Sequence, residues 1–178
     1  MSNDRYTEDI LKERFNTHLQ YHNKMKETSI KCGMNFRNSG IPEDINENII
    51  KFIIRKYEND KTCKWNRVKD LLSIKGILEC KCFTSEGHIS FSPISEWDSI
   101  YFLDGRNWCN KIFKLYKFPY KTTSEQWKKI KVSKKDTFEK QSKQGRRPRI
   151  GWTNLYEQIK DKCILIFDGV LEDIIKMN

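Results

Sequence analysis

The sequence predicts an α+β fold, close to α/β, in which a mixed β-sheet of four to five strands is flanked by helices. Helical periodicity covers residues 6–26 and 42–57, strand-like patterns gather between residues 65 and 118, and short helical patterns return after residue 124. The expected strand count is that of an ordinary sheet, roughly 4 to 6 strands. A chain of 178 residues can bury a core without disulfides or metals, so we expect a single domain over residues 1–178.

The first helix is predicted over residues 6–26, where large apolar side chains recur at spacings of three and four. His18 lies four residues before His22, a spacing at which two imidazoles can bind one metal ion. The intervening Glu of a zinc peptidase motif and a third ligand are both missing, so partly exposed helix residues are the preferred interpretation. This helix and the loop after it, residues 1–40, are a possible dimer contact.

A second helix is predicted from Pro42 to about Tyr57, after a loop rich in Gly, Asn and Ser at residues 31–41. Proline is tolerated and acidic residues are favoured in a first turn, and an isoleucine- and phenylalanine-rich stripe follows. Glu47 and Glu58 lie on its other flank, where either could offer a carboxylate to a metal site. A solvated helix face is the preferred interpretation.

A chemically distinctive stretch, DLLSIKGILECKCF, begins at Asp70. Side chains alternate between the two faces of a strand, so Glu79 and Lys81 share one face and three apolar side chains share the other. Residues 65–70 indicate a preceding short strand. A turn at residues 73–76 would then bring Asp70 back beside Glu79.

Two carboxylates and an ammonium placed in this way suit the hydrolysis of a phosphodiester. Asp70, Glu79 and the backbone carbonyl of Cys80 can bind Mg²⁺ through hard oxygen ligands. Lys81 can position or help to deprotonate the attacking water and stabilise the transition state, which leaves a 5′-phosphate and a 3′-hydroxyl. His88 could act as a general base, although a loop histidine is the preferred interpretation. A surface strand with an incidental salt bridge is the alternative for the whole cluster.

Two further strands are predicted after this stretch. Residues 99–103 are almost entirely apolar, and residues 111–118 alternate charged and apolar side chains in the manner of a half-buried strand. Residues 41–120 therefore form the expected catalytic core.

The rest of the chain is predicted to contain short elements. Helices are expected at residues 124–131, capped by the serine at the start, and at residues 133–144, which begin with a second serine. Residues 153–178 supply the closing elements, which are helices at residues 153–160 and 168–176 around an apolar strand at residues 163–167.

The net charge of +10 is concentrated in one segment. Residues 128–149 contain seven Lys and three Arg against two acidic residues, a net charge of +8. Such a concentration is the electrostatic footprint of a polyanion, and nucleic acid fits better than a membrane because no continuous apolar face accompanies it. We expect residues 121–152 to be a basic DNA-recognition segment. A solvated basic arm or a nuclear-localisation-like run is the alternative.

Within this segment the lysines suit phosphate contacts, which position a protein on DNA without reading its sequence. Arginine can bind guanine bidentately, and glutamine can pair with adenine. Pro148 disfavours helix for the residue before it, so the arginines should project from an extended segment. The residues expected at the DNA are Lys140, Gln141, Lys143, Gln144, Arg146, Arg147 and Arg149.

The cysteines and the hydropathy pattern indicate a protein of the cytoplasm. The six cysteines form no CxxC pair, which favours reduced thiols over disulfides or zinc. No apolar run approaches the roughly 20 residues that span a bilayer, and the first residues are polar and acidic rather than those of a signal peptide. We expect no membrane association.

The order of these motifs resembles the small type II restriction endonucleases of the PD-(D/E)xK superfamily, most closely the group that cuts GCNGC. The resemblance covers about residues 40–152 and rests on D-x8-E-x-K, on ISFSPISEWDSIYFLD and, most distinctively, on KxxTFExQxxQGRRPR. Asp70, Glu79 and Lys81 match the catalytic motif, with Lys69 where its name has Pro. The resemblance implies a mixed sheet flanked by helices, Mg²⁺ dependence, and a homodimer that cuts both strands of a palindrome in a bacterial or virus-infected cell.

We therefore expect a Mg²⁺-dependent, sequence-specific endonuclease for double-stranded DNA. A cognate DNA methyltransferase acting on the same site would be a possible further partner. Two alternatives stay open: a structure-specific or repair nuclease on the same core, and a noncatalytic basic protein that binds DNA or RNA.

Overall fold

The computed structural model describes residues 6–36 and 40–175, and within them six α-helices pack on two β-sheets. The helices are α1 (Glu8–Cys32), α2 (Glu43–Tyr57), α3 (Glu125–Lys128), α4 (Phe138–Lys143), α5 (Trp152–Ile159) and α6 (Leu171–Ile174). The strands are β1 (Lys64–Trp65), β2 (Leu71–Ser73), β3 (Gly76–Phe83), β4 (His88–Ser90), β5 (Ser99–Asp104), β6 (Ile112–Phe118), β7 (Arg149–Gly151) and β8 (Ile164–Val170).

The main sheet has six strands in the order β1-β2-β3-β5-β6-β8. Neighbouring strands are antiparallel except β3 and β5, which are parallel, so the sheet is mixed as predicted. Its strand count is larger than the four to five expected, because the very short β1 and β2 extend one edge. The segments β4 and β7 pair separately as a two-stranded antiparallel sheet.

Two hydrophobic clusters cover the two faces of the main sheet. On one face α1, α2 and α6 pack against the sheet around Phe15, Ile49 and Leu115. On the other face α3, α4, α5 and the β4–β7 pair enclose an aromatic cluster that includes Phe102 and Trp127. The central strand β5 is buried along its whole length, as its apolar sequence predicts for a strand covered on both faces.

The first two helices follow their predicted signals, with one difference in length. The Thr7 hydroxyl caps α1 by accepting a hydrogen bond from the N–H of Ile10. The helix continues to Cys32 rather than to residue 26, and it ends at Gly33, whose φ of 61° is the left-handed conformation of a helix C-terminus. The end of α2 at Tyr57 agrees with the prediction. Residues 37–39 of the predicted loop lie outside the described residues.

The turn between β2 and β3 forms where it was predicted and fixes the register of the candidate site. Ser73 pairs with Gly76 and Leu71 pairs with Leu78. Gly76 has a φ of 112°, and a Cβ there would lie 2.1 Å from a carboxylate oxygen of Asp98, so only glycine fits. The prediction of a strand at residues 65–70 was wrong, because β1 contains only Trp65 of that run and the chain bends after it.

The later helices differ from the predictions mainly in where they begin. The Ser124 hydroxyl caps α3 as expected. The next helix, α4, begins after the cap Thr137 rather than at Ser133, because the Ser133 hydroxyl accepts the N–H of Asp136 within a turn. The predicted helix at residues 168–176 is shortened to α6, since β8 runs on to Val170. Residue 176 lies outside the described residues.

Neither a membrane helix nor a disulfide is found in the part of the chain that the structure describes. None of its helices is both long and apolar enough to cross a bilayer. All six cysteines are free thiols, and Cys32 and Cys109 are exposed while the other four are buried or half-buried.

Candidate active site beside a basic recognition segment

The strand β3 separates its side chains as the alternation predicts. Glu79 and Lys81 lie on the face of the aromatic cluster, and the Lys81 ammonium donates a hydrogen bond of 2.6 Å to Oε1 of Glu79. Leu78, Cys80 and Cys82 pack into the cluster on the other face. One face of this strand therefore carries Glu79 and Lys81 between two residues of the aromatic cluster, and the other face contributes Leu78 and the two cysteines to the opposite cluster.

Asp70 lies next to β3 because of the β2–β3 turn. Pairing of the two strands ends at Leu71 and Leu78, and continuation of this register places Asp70 opposite Glu79. Beyond that point the edge of β3 is open, and the N–H of Cys80 donates to Oδ2 of Asp70 at 2.7 Å instead of to a neighbouring strand. The N–H and C=O of one residue point to the same edge of an extended strand, so the Cys80 carbonyl also faces this edge.

The electrostatics at this edge favour a cation. Burial raises the pKa of Glu79; the Lys81 ammonium opposes the rise, and the carboxylate of Asp70 adds to it. Burial also raises the pKa of the Cys80 thiol, which is inside the core on the opposite face. The Cys80 contribution to a metal site would therefore come from its backbone carbonyl and not from its sulfur.

Glu47 is a third carboxylate in this region that the sequence reasoning assigned to a solvated helix face. Its half-buried side chain accepts a hydrogen bond of 2.8 Å from the indole N–H of Trp65. Burial, followed by the negative charge of Asp70, raises the pKa of Glu47 to about 7. A usable signal was the run from Ile49 to Ile54, which is apolar except for Lys51. Such a run indicates a helix that is buried around most of its circumference, which leaves little room for a solvated flank.

The donor set at this edge fits a hard divalent cation. Asp70, Glu79 and the Cys80 carbonyl offer only oxygen atoms, which are the ligands of Mg²⁺. Burial raises the pKa values of Glu47 and Glu79, and the negative charge of Asp70 adds to both increases. Within residues 6–36 and 40–175, no three His, Cys, Asp or Glu side chains converge closely enough to enclose an ion.

Glu58 and His88 lie elsewhere. Burial would raise the pKa of Glu58, but hydrogen bonds from Lys117 and from the hydroxyl of Tyr101, both at 2.7 Å, outweigh it and lower that pKa. This carboxylate is therefore held in its own ion-pair network. His88 is exposed at the start of β4, and neither residue contributes to the carboxylate cluster, by which we mean Glu47, Asp70 and Glu79.

The histidines of α1 serve packing rather than metal binding. The His18 ring stacks on Trp108 with centroids 5.3 Å apart, and the His22 ring meets the same indole edge-on at 4.7 Å. A ring nitrogen of His18 lies 2.9 Å from the carbonyl oxygen of Gly40. Both imidazoles thus hold α1 against the loop after β5.

The basic segment is a folded part of the domain. Trp127, Ile130 and Phe138 are almost fully buried in the aromatic cluster, and the Trp127 and Phe138 ring centroids are 4.6 Å apart. Burial of this kind fixes the lysines and arginines on a defined surface. It excludes the solvated arm considered from the sequence.

The seven residues expected at the DNA differ in how freely they face solvent. Arg147 and Arg149 are exposed, and no described residue pairs with either guanidinium. Lys140 and Arg146 are exposed as well, but each forms an ion pair with Asp136, at 3.0 and 3.3 Å. Lys143 pairs with Glu139, and Gln144 is exposed.

Gln141 occupies a different position from the other six. Its side chain is only 8% exposed, and its amide donates a hydrogen bond of 3.3 Å to Asp136. Hydrogen bonds from Lys140 and Gln141 lower the pKa of Asp136, which keeps that carboxylate charged. In this conformation Gln141 therefore supports α4 from the inside and offers DNA no free amide.

The β4–β7 pair brings the basic segment to the carboxylate cluster. Ser90 pairs with Arg149, and the N–H of the next residue, Phe91, donates to the carbonyl of Pro148 at 3.0 Å. The Phe91 ring in turn lies 5.9 Å from the Lys81 ammonium. The exposed arginines and the ionisable face of β3 thus belong to one continuous region.

Comparison with known families identifies the chain. A model of the Bsp6I restriction endonucleases matches residues 10–160, which is more than four fifths of the 178 residues. The chain belongs to the Bsp6I restriction endonuclease family. Membership makes it a type II site-specific deoxyribonuclease with DNA as its substrate. No curated protein and no solved structure matches the chain significantly.

The part of the chain that matches the Bsp6I family contains the whole region described above. It begins within α1, includes Glu47 of α2 and the ionisable face of β3, and extends past Arg149 to the end of α5. The carboxylate cluster and the exposed arginines are therefore both inside the endonuclease unit.

Proposed function

We propose that this member of the Bsp6I family is a Mg²⁺-dependent endonuclease of the PD-(D/E)xK type, which cuts both strands of a GC-containing palindrome such as GCNGC. The observation that carries the proposal is the open edge of β3. There Asp70, Glu79 and the Cys80 carbonyl come together beside the Lys81 ammonium. Glu47 is a candidate for an additional carboxylate at the same site.

Each residue has a defined task in the proposed reaction. A bound Mg²⁺ supplies Lewis acidity and neutralises phosphate charge, and Asp70, Glu79 and the Cys80 carbonyl would hold it. Lys81 orients the attacking water and donates hydrogen bonds to phosphate oxygens whose negative charge grows in the transition state. Glu79 fixes the direction of the ammonium through their 2.6 Å hydrogen bond. The products carry a 5′-phosphate and a 3′-hydroxyl, without a covalent enzyme intermediate.

The basic segment supplies recognition in this proposal. Arg147 and Arg149, which have no ionic partner among the described residues, are placed to read guanines in the major groove. Lys140, Lys143, Gln144 and Arg146 line the same surface, where the cations contact phosphates once their intramolecular ion pairs open. Gln141 acts from inside α4 as a support.

Cleavage of both strands of a palindrome calls for two copies of the site related by a twofold axis. We propose a homodimer with α1 as a contact, because only Leu11 and Phe15 of its 25 residues are buried, and Tyr21 and Ile30 are exposed. A methyltransferase that modifies the same palindrome would protect the DNA of the cell. Sedimentation of the protein with and without a palindromic duplex tests whether it forms a homodimer.

The decisive experiment is digestion of plasmid DNA by the full chain in Mg²⁺, with Lys81→Ala as the variant and sequencing of the cut ends. We expect discrete fragments from the wild type with one sequence at every end, and a loss of cleavage of at least about 100-fold in the variant. Lys75→Ala is the matched control, because Lys75 pairs with Glu58 and lies outside the site.

Other outcomes would point to other functions. Cutting confined to branched DNA would indicate a structure-specific nuclease on the same core. Binding without cleavage, or wild-type activity in Lys81→Ala, would contradict the proposed active site. The sequence of the ends reports the recognition site and the stagger in the same experiment.

A further inference from the structure

Phe91 occupies a position that neither the catalytic proposal nor the recognition proposal uses. It follows β4 directly, and its side chain is fully buried. The Lys81 ammonium lies 5.9 Å from the centroid of its ring and is otherwise held by the 2.6 Å hydrogen bond to Glu79. Among the described residues, the Glu79 carboxylate and the Phe91 ring are the groups that contact this ammonium.

The same residue is bonded to the recognition segment through its main chain. The N–H of Phe91 donates to the carbonyl of Pro148 at 3.0 Å, and the preceding Ser90 pairs with Arg149. Pro148 is the residue between Arg147 and Arg149. The strand that carries Arg149 is thus hydrogen-bonded directly to the backbone at Phe91.

The ring of Phe91 makes a second connection to the basic segment. Its centroid lies 5.0 Å from that of Phe138, the first residue of α4, and 5.5 Å from that of Trp127 in α3. Both contacts are edge-to-face, a packing that resists small rotations because each ring edge sits against a neighbouring ring face. The Phe91 ring is therefore packed against both α3 and α4.

We propose that Phe91 is a positioning residue that couples the docking of the Arg147–Arg149 segment on DNA to the placement of the Lys81 ammonium. The negative face of an aromatic ring attracts a cation, so the ring limits where the ammonium can rest. When the arginines bind their bases, β7 and the Phe91 ring shift together. Lys81 then takes the position in which its ammonium reaches the scissile phosphate. On an incorrect sequence β7 takes a different position, and the Phe91 ring does not bring the ammonium to the scissile phosphate.

The inference rests on the proposed catalytic role of Lys81, and its test separates the two. The full-length variants Phe91→Leu, which loses the ring, and Phe91→Tyr, which keeps it, are compared with wild type on a duplex carrying the site read from digested ends and on the same duplex with one base pair changed. Binding is measured in EDTA and single-turnover cleavage in Mg²⁺. Phe118→Leu is the matched control, because it removes a buried ring from the same cluster whose ring contacts are with Tyr120 and Trp127 rather than with Phe91 or Lys81.

We expect Phe91→Leu to slow single-turnover cleavage of the correct site by about 10- to 100-fold, the effect of a misplaced catalytic group, with DNA binding changed by less than about 3-fold. Discrimination against the altered site should fall at the cleavage step and not at the binding step. Phe91→Tyr should restore most of the rate. Urea unfolding of all variants shows whether a lost fold explains a lost rate.

Two results would overturn the inference. One is a Phe91→Leu variant that is folded and cleaves at the wild-type rate with unchanged discrimination. The other is a Phe118→Leu variant that, at equal stability, loses the same rate and discrimination, because Phe91 would then act only as one more core residue. Wild-type cleavage by Lys81→Ala would instead contradict the proposed function itself.

Discussion

Replacement of Glu47 by Gln should remove a pH dependence from the stability of the metal-free protein. The pKa of Glu47 is raised to about 7 by burial and by the charge of Asp70, against an ordinary value of 4.5. Between these two pH values the folded protein holds a proton that the unfolded chain releases, so the free energy of unfolding falls as pH rises through this window. Above pH 7 the carboxylate is charged in both states and the loss is complete.

The magnitude follows from the size of the shift. A difference of about 2.5 units corresponds to a ceiling of about 3.4 kcal/mol at 1.36 kcal/mol per unit. The side chain is only half-buried, so solvent screening reduces this to about 1 to 2 kcal/mol. Gln keeps an oxygen that can accept the Trp65 N–H, so Glu47→Gln should be more stable than wild type by about that amount at pH 8, and about equal to it near pH 4.5.

Urea unfolding in EDTA at pH 4.5, 6 and 8 measures this difference, with the exposed Glu157→Gln on α5 as the control. Addition of Mg²⁺ at pH 8 should stabilise wild type more than Glu47→Gln, because the variant has lost a carboxylate near the proposed ligands. The reasoning fails if the two proteins have the same pH dependence. It also fails if Mg²⁺ stabilises them equally while the cleavage rates are equal.

Three further substitutions test the site and the recognition surface. Asp70→Asn should keep an acceptor for the Cys80 N–H, so the free energy of unfolding in EDTA should change by less than about 1 kcal/mol, while cleavage and stabilisation by Mg²⁺ are lost. Loss of the fold would show instead that the charge of Asp70 is needed for stability. Arg147→Ala should reduce discrimination between the correct and altered sites by about 1 to 3 kcal/mol in competition binding, whereas an equal loss on all sequences would identify a phosphate contact. Gln141→Ala should destabilise the fold by about 1 to 2 kcal/mol in urea unfolding without a change in sequence preference, and a changed preference would assign its amide to DNA.

Local patterns predicted the centre of the candidate site. The alternation of side chains in β3 and the turn at Ser73–Gly76 were readable because both depend on neighbours in the sequence. From these two features follow the shared face of Glu79 and Lys81 and the position of Asp70 opposite Glu79. The residue types alone then indicated oxygen ligands and a phosphodiester.

Features set by distant parts of the chain were not readable in this way. The solvated flank that we preferred for Glu47 assumed that α2 is half exposed, but α2 is covered on most sides. Trp65 donates a hydrogen bond to Glu47, and the charge of Asp70 acts on it, although both residues lie outside α2. Gln141 shares the polar composition of its neighbours, and only the tertiary fold turns it inward. The pairing of β4 with β7 joins segments some sixty residues apart in sequence, which no local pattern encodes.

That pairing has a consequence for attempts to change the specificity of the enzyme. The recognition segment is continuous in sequence, so an engineer could try to replace it as one block with the segment of a related enzyme. Its strand β7, however, is completed by β4, which belongs to the catalytic half of the chain. A graft of residues 121–152 alone would place a foreign strand against a native partner, so a workable chimera must carry residues 88–91 with it.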